Sequence, residues 1–451
     1  MSPPSPDNPL LLRGGRVIDP AGGLDSRRDV LIEDGRISAI GERVDAPKGT
    51  DVIDLPEHYW VTPGLVDIHV HFRDPGQSAK ETTMTGAAAA IAGGFTTVCI
   101  MPNTSPAIDN VQTLQYVNRI GAETGIRIIP VPGVTKDLDG KELTAMGTMV
   151  DYGAVAFTDD GMPIVSAQMM RKALQYAAMF DVPIVCHAED PTLCGCGVMN
   201  EGLVSTRLGL PGIPGVAEST MVARDIILAR DTGGHVHFAH LSTAESVRLV
   251  REAKAEGLKI TAESTPHNLT LTDDTLSDYN PDYKMYGPIR TEADRQALVE
   301  GLLDGTIDAI ATDHAPHTPE EKARTVDEAP RGVIGLETSL GAILTFLYHQ
   351  PQGHRALTPV EVIRLMGWGG VQAYGIDRKI PDCGRLQVGG RADITVIDPD
   401  RTWRVNPDEF RSKSRNCPFN GMVLTGRAVM TIAAGACMMD RREEAMCVGA
   451  T

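Results

Sequence analysis

Val66–Gly76 reads VDIHVHFRDPG and follows PGL. Side chains of a β-strand alternate between its two faces. Asp67, His69, His71 and Arg73 therefore share one face, and Val66, Ile68, Val70 and Phe72 share the other. One side of such a strand packs; the other gathers an acid, two imidazoles and a guanidinium. Two neutral imidazoles projecting the same way make half of a tetrahedral zinc site. An HxH alone is a weak signal: HVH recurs at His235–His237, where we read it as structural.

This strand opens a series. Between Val61 and Ala373 eight apolar runs each end in polar residues: GLVDIHVH, FTTVCIMPN, IRIIPVPG, GAVAFTDDG, VPIVCHAED, HVHFAHLST, LKITAESTPHN and IDAIATDHAPH. Segments of helical composition separate them, such as AQMMRKALQYAAMF, TAESVRLVREAKAEG and TEADRQALVEGLLDG, several with a capping Ser, Thr or Asp at the start. Eight strands alternating with helices predict a (β/α)8 barrel. The competing architecture is an open doubly wound sheet, but no GxGxxG follows the first strand. The two ends read as short strands with Gly, Asp and Asn turns, in LLLRGGRVIDP, RRDVLIEDGRISAIG, RADITVIDP and GMVLTGRAVMTIAAGACMMD. Neither end alone has enough strands for a stable sheet, so both are expected to meet in one small β-sandwich. The expected organisation is 1–60 for the N-terminal part of that sandwich, 61–380 for a metal-dependent catalytic barrel, and 381–451 for the C-terminal part.

Composition limits the function classes. The 451 residues carry a formal charge of −17, with 42% hydrophobic and 22% charged residues. So acidic a chain gains no counterion-release binding to nucleic acid, which is not expected as a partner. The N-terminus MSPPSPDNPLLLRGG has no basic region followed by a long apolar run, and no segment is long enough to span a bilayer. The eight Cys include no CxxC pair, which suits reduced thiols and a cytoplasmic protein. CGC at Cys194–Cys196 reads as a surface loop.

In a barrel of this kind, active sites lie at the C-terminal ends of the strands. Ligand-type residues recur there: His69 and His71, Asp159 and Asp160, His187, His240, and Asp313 followed by His314 and His317. Four His (His69, His71, His187, His240) and two Asp (Asp160, Asp313) suit two metal ions sharing a carboxylate. Water on zinc ionises near pH ~7, and a neighbouring Asp can carry a proton to a leaving nitrogen. The residues thus point to metal-assisted hydrolysis of an amide-like bond and leave the substrate open.

Taken together, PGLVDIHVHFRDPG, GGFTTVCIMPNT, AVAFTDDG, IVCHAED, AHLSTAESV and DAIATDHAPH resemble the amidohydrolase superfamily, and within it the type I dihydroorotases of bacteria. The likeness runs from about Val17 to Ala433 and includes SKSRNCPFNG, to which no chemistry is assigned. The resemblance implies reversible, zinc-dependent cyclisation of N-carbamoyl-L-aspartate to (S)-dihydroorotate in pyrimidine biosynthesis, with one or two ions and two favoured. By motif, His69, His71 and Asp313 hold the first ion, Asp160 bridges, and His187 and His240 complete the second. Asp159 takes the bridging place only if the register slips by one. Asp313 is also the catalytic proton carrier. His71, Arg73, Asn103 and His317 face the substrate, joined by Tyr286, Arg331 and Gly332. A guanidinium can clamp a carboxylate bidentately, which suits Arg73. Asp67 would accept from an imidazole, or be a buried structural acid. The loop TPEEKARTVDEAPRG after His317 either closes over the substrate or stays solvated.

Two positions depart from the family pattern. KMYGPIR, Lys284 to Arg290, stands where type I relatives usually read KMNPPLR, so Tyr286 replaces a substrate-contacting Asn. Arg331 stands where an apolar residue is common. The alternatives are a related cyclic-amide hydrolase of hydantoinase, dihydropyrimidinase or allantoinase type, whose members typically carry a carbamylated Lys bridge, and an inactive scaffold for aspartate transcarbamoylase, whose members have lost metal ligands. A homodimer and an association of the active enzyme with aspartate transcarbamoylase are both compatible with the resemblance.

Overall fold

A computed structural model of the chain describes residues 8–444. Residues 1–7, the start of the segment read as no leader, and residues 445–451, which include Cys447, lie outside the described residues. Both terminal ranges, 1–60 and 381–451, therefore extend beyond them.

Every one of the eight runs contains a strand. In chain order they are β1 (Leu65–Val70), β2 (Phe95–Ile100), β3 (Arg127–Pro130), β4 (Phe157–Thr158), β5 (Ile184–Cys186), β6 (Val236–Phe238), β7 (Ile260–Ser264) and β8 (Ala309–Ile310). All are parallel to their neighbours, in one set ordered β3-β2-β1 and another ordered β4-β5-β6-β7-β8. Backbone hydrogen bonds join the sets at both seams. Thr158 N donates to Pro132 O at 3.0 Å, and His71 N donates to His314 O at 2.8 Å. The chain is thus a mixed α/β protein with parallel strands at its centre.

The helices between strands start where the capping residues stand. Side chains of Thr82, Asn110, Ser166, Thr243 and Thr291 each accept a backbone N–H of the first turn. Phe95, Leu114, Phe157, Ile184, Phe238 and Leu298 belong to one buried apolar cluster linking strands to helices. Val66, Ile68, Cys99, Ile129, Val185 and Ala309 belong to a second. Among the described residues no helix is long and apolar enough to cross a membrane.

Both chain ends meet in one six-stranded sheet. Ile394–Arg404 pairs antiparallel with Trp60–Pro63 on one side and with Val423–Ala433 on the other. A four-stranded sheet built from residues 10–54 shares its core, where Leu12, Val30 and Ile32 meet Val61, Ile394 and Val396. Strand Trp60–Pro63 carries the terminal sheet past the boundary expected at residue 60, because its partners lie near the C-terminus. The segment with Cys194 and Cys196 also differs from expectation. It lies between β5 and the helix Val216–Thr232 and carries a short parallel pair, Met199–Asn200 with Gly212–Ile213. Cys196 is exposed, but Cys194 is buried against Ile213 and Ala217.

Candidate active site

The polar residues at the strand ends converge. Asp160, just past β4, divides its carboxylate between two imidazole pairs. Its Oδ2 lies 3.4 Å from both His69 Nε2 and His71 Nε2, and its Oδ1 lies 3.6 Å from His187 Nδ1 and 3.5 Å from His240 Nε2. Asp313 approaches the first pair, with Oδ1 3.0 Å from His71 Nε2 and 3.7 Å from His69 Nε2. Asp159 turns away and accepts from Thr135 N at 2.9 Å, so the register does not slip. His314 also turns away, accepting from Gly335 N at 3.2 Å. His240 and Asp313 hold left-handed φ angles of 37° and 46°, and Arg73 holds 60°; strain of this kind gathers at functional sites.

The donor set fits divalent cations. His69 Nε2 and Asp160 Oδ1 are buried and hydrogen-bonded to nothing. His187 Nδ1 and His240 Nε2 face each other at 2.9 Å. The donor atoms of His69, His71 and Asp160 lie within 4.8 Å of one another, as do those of Asp160, His187 and His240. Burial resists charge on both Asp160 and His69, yet their mutual attraction prevails: the carboxylate is held well below its usual range and the imidazole well above. Burial also opposes ionisation of Asp313, and its imidazole neighbours His71 and His69 overcome it, holding the carboxyl low.

A layer beneath the donors orients them. Glu263 of β7 accepts from His69 Nδ1 at 2.6 Å and from His237 Nε2 at 3.2 Å. Fully buried, its carboxyl is nevertheless held down to about 2 by His69 and His237. A carboxylate behind a ligating imidazole fixes both tautomer and ring orientation. The sequence left Asp67 either that role or the role of a buried structural acid, and the structure agrees with the second. Its carboxylate accepts from the backbone N–H groups of His69 at 3.1 Å and Thr312 at 3.2 Å, tying β1 to the end of β8. Its strand face was legible, but not its reach to a backbone far along the chain.

A cavity of about 390 Å³ opens over the donors and includes Arg73, Asn103, Tyr286, His317, Arg331 and Gly332 in its wall. The sequence-predicted substrate residues are thus brought to one place. Arg73 uses Nε on Pro316 O at 3.2 Å, and burial pulls its guanidinium down to about 10. Asn103 Oδ1 accepts from His71 Nδ1 at 2.8 Å, so it orients that imidazole as well as lining the pocket. His317 places Nε2 2.9 Å from Arg331 O. Gly332 has φ 136°, and a Cβ there would meet His317 Nε2 and Ala315 Cβ at 2.9 Å, so only glycine fits.

The loop after His317 is fastened. Thr318 caps the short helix Pro319–Lys322. Buried Lys322 donates Nζ to Pro330 O at 3.1 Å and Gly332 O at 3.0 Å, while Lys284 Nζ donates to Val326 O at 2.6 Å. SKSRNCPFNG fastens it from the other side: Ser414 Oγ donates to His317 O at 2.7 Å, and Asn416 Nδ2 to Gly332 O at 3.0 Å. Sequence reasoning missed Glu263, Lys284, Lys322 and this segment. SKSRNCPFNG entered the sequence reading only as part of the resemblance, with no chemistry assigned to it.

Comparison with known proteins agrees with this geometry. A family model described as "Dihydro-orotase-like" matches residues 59–246. A dihydroorotase of Pelotomaculum thermopropionicum is 47% identical over 433 residues, 96% of this chain and 99% of that protein. One from Anaeromyxobacter dehalogenans is 46% identical over 429 residues, 94% of this chain and 96% of that protein. Among solved structures, the L-hydantoinase (dihydropyrimidinase) of Arthrobacter aurescens superposes with a TM-score of 0.82 at 26% identity, covering 96% of each chain. The dihydropyrimidinase of Brevibacillus agri gives 0.81 at 20% identity over 96% of this chain and 95% of that one, a likeness of fold alone. With relatives this similar from end to end, and with the imidazole and carboxylate groups gathered at the strand ends, the chain belongs to the dihydroorotase family of hydrolases.

Proposed function

We propose that the chain interconverts N-carbamoyl-L-aspartate and (S)-dihydroorotate in pyrimidine biosynthesis. The observation that carries this reading is the carboxylate of Asp160, divided between His69/His71 and His187/His240 at 3.4–3.6 Å. His69, His71 and Asp313 would hold one zinc ion, His187 and His240 a second, with Asp160 common to both. Zinc bound there would supply Lewis-acid polarisation of the ring carbonyl and activation of water near neutral pH. Arg73 binds the substrate carboxylate with the guanidinium nitrogens that Pro316 leaves free, and Asn103 presents its amide beside it. Asp313, ionised at neutral pH, takes the proton of the attacking water and delivers it to the departing ring nitrogen. Cyclisation runs the same transfer backwards.

The eight parallel strands are read as a closed (β/α)8 barrel, which the hydrogen bonds at both seams support. The terminal sheets are read as a β-sandwich, with the barrel spanning about 61–380. A cytoplasmic enzyme acting on a small molecule, as a homodimer or beside aspartate transcarbamoylase, is consistent with this reading. The test is turnover of the purified, zinc-loaded protein on (S)-dihydroorotate, dihydrouracil, hydantoin and allantoin in parallel. Activity confined to dihydroorotate is expected. Activity on an uncharged ring instead would mean that Arg73 does not select the substrate.

A further inference from the structure

The two positions that depart from the family pattern touch each other. The Arg331 guanidinium stacks over the Tyr286 ring, 4.9 Å from its centroid. The same guanidinium lies 3.7 Å from Glu189 Oε2 and donates to Gly197 O. Glu189 Oε2 lies 3.5 Å from His187 Nε2, the ring nitrogen opposite the one that faces Asp160. Tyr286 closes the circuit, its ring edge-on to His187 at 5.0 Å and 87°. The ring of contacts runs His187, Glu189, Arg331, Tyr286 and back to His187.

We propose that Tyr286 and Arg331 are positioning residues that, through Glu189, fix the His187 imidazole for the second metal ion. The proposal rests on His187 being a ligand of that ion. Glu189 is nine-tenths buried, and its Oε1 has no hydrogen-bond partner. Such a carboxylate stays in place only beside a cation, and Arg331 is the cation it meets. The Tyr286 ring beneath it holds the guanidinium against the pocket wall. Arg331 sits at the end of the loop that also carries His317 and Gly332. Seating of that loop and orientation of a ligand at the far side of the pocket are therefore one event. An amide at 286 could not supply the ring under Arg331, and an apolar side chain at 331 could not pair with Glu189.

The test needs no substrate. Cobalt(II) is loaded into the full chain and withdrawn with a competing chelator, while its visible absorption is followed. Arg331→Leu should weaken one of the two ions ~10–100-fold and alter its spectrum, leaving the other ion unchanged. Arg331→Lys keeps the charge beside Glu189 and should restore most of that affinity. Tyr286→Phe keeps the ring and should hold both ions as the wild type does. Tyr286→Asn attacks the frame from its other side and should reproduce the Arg331→Leu loss, which keeps the test open if Arg331→Leu folds poorly. Unchanged affinities and spectrum in Arg331→Leu would overturn the proposal and leave Arg331 as a residue of the pocket wall only. A wild-type chain that holds a single ion would overturn the two-ion reading itself, and the frame with it.

Discussion

The tripeptide His-Val-His occurs in β1 and again at the start of β6, with opposite outcomes. His69 and His71 lie where β1 ends, and their Nε2 atoms face Asp160 and Asp313. His235 and His237 lie where β6 begins, and their nitrogens are consumed within the sheet. His237 Nδ1 and His235 Nε2 both meet Thr261 Oγ1 at 2.9 Å, and His237 Nε2 meets Glu263 at 3.2 Å. Burial pushes the His235 imidazole down to about 3, so it stays neutral. Identical residues thus stand at opposite ends of their own strands, one pair where β1 ends and the other where β6 begins. The pairs are also joined: Glu263 touches His69 with one oxygen and His237 with the other, so the second motif supports the first.

Variants that separate donor from support sharpen this contrast. Asp313→Asn keeps the shape of the site but removes the proton carrier; turnover should fall ~10²–10⁴-fold with zinc content retained, measured by rate and metal analysis together. Glu263→Gln weakens the hold on His69, and zinc affinity should drop ~10–100-fold in chelator competition. His237→Asn leaves Glu263 with one partner fewer; urea unfolding should show a loss of about 1–3 kcal/mol. His235→Asn removes one hydrogen bond at the strand start, and about 0.5–1.5 kcal/mol is expected by the same assay. A loss of zinc from His237→Asn or His235→Asn as large as that from Glu263→Gln would erase the distinction between the motifs.

The gathering of His69, His71, Asp160, His187, His240 and Asp313 was legible because these residues lie at a fixed place in a repeated pattern. In GLVDIHVH the histidines follow the apolar run, whereas in HVHFAHLST the first two precede it and His240 follows. Position along the run separates donor from support, and the eight runs are local in sequence. The orienting layer was not legible because it is made by contacts between distant residues. Glu263 sits in ITAES with no mark of its 2.6 Å bond to His69. Asp67 shares the face of β1 that carries His69 and His71, so strand period could not separate an imidazole partner from a buried structural role. Its actual partners are backbone N–H groups, one of them at Thr312. Nothing in KMYGPIR or TPEEK marks that Lys284 and Lys322 both end on loop carbonyls.

Zinc bound per chain, measured side by side in the wild type, His69→Asn and His237→Asn, tests the account most directly. The wild type and His237→Asn should retain the metal, and His69→Asn should lose the ion at the first pair. Equal loss from His69→Asn and His237→Asn, or a wild type that binds no zinc, would contradict the division between a ligating and a supporting motif.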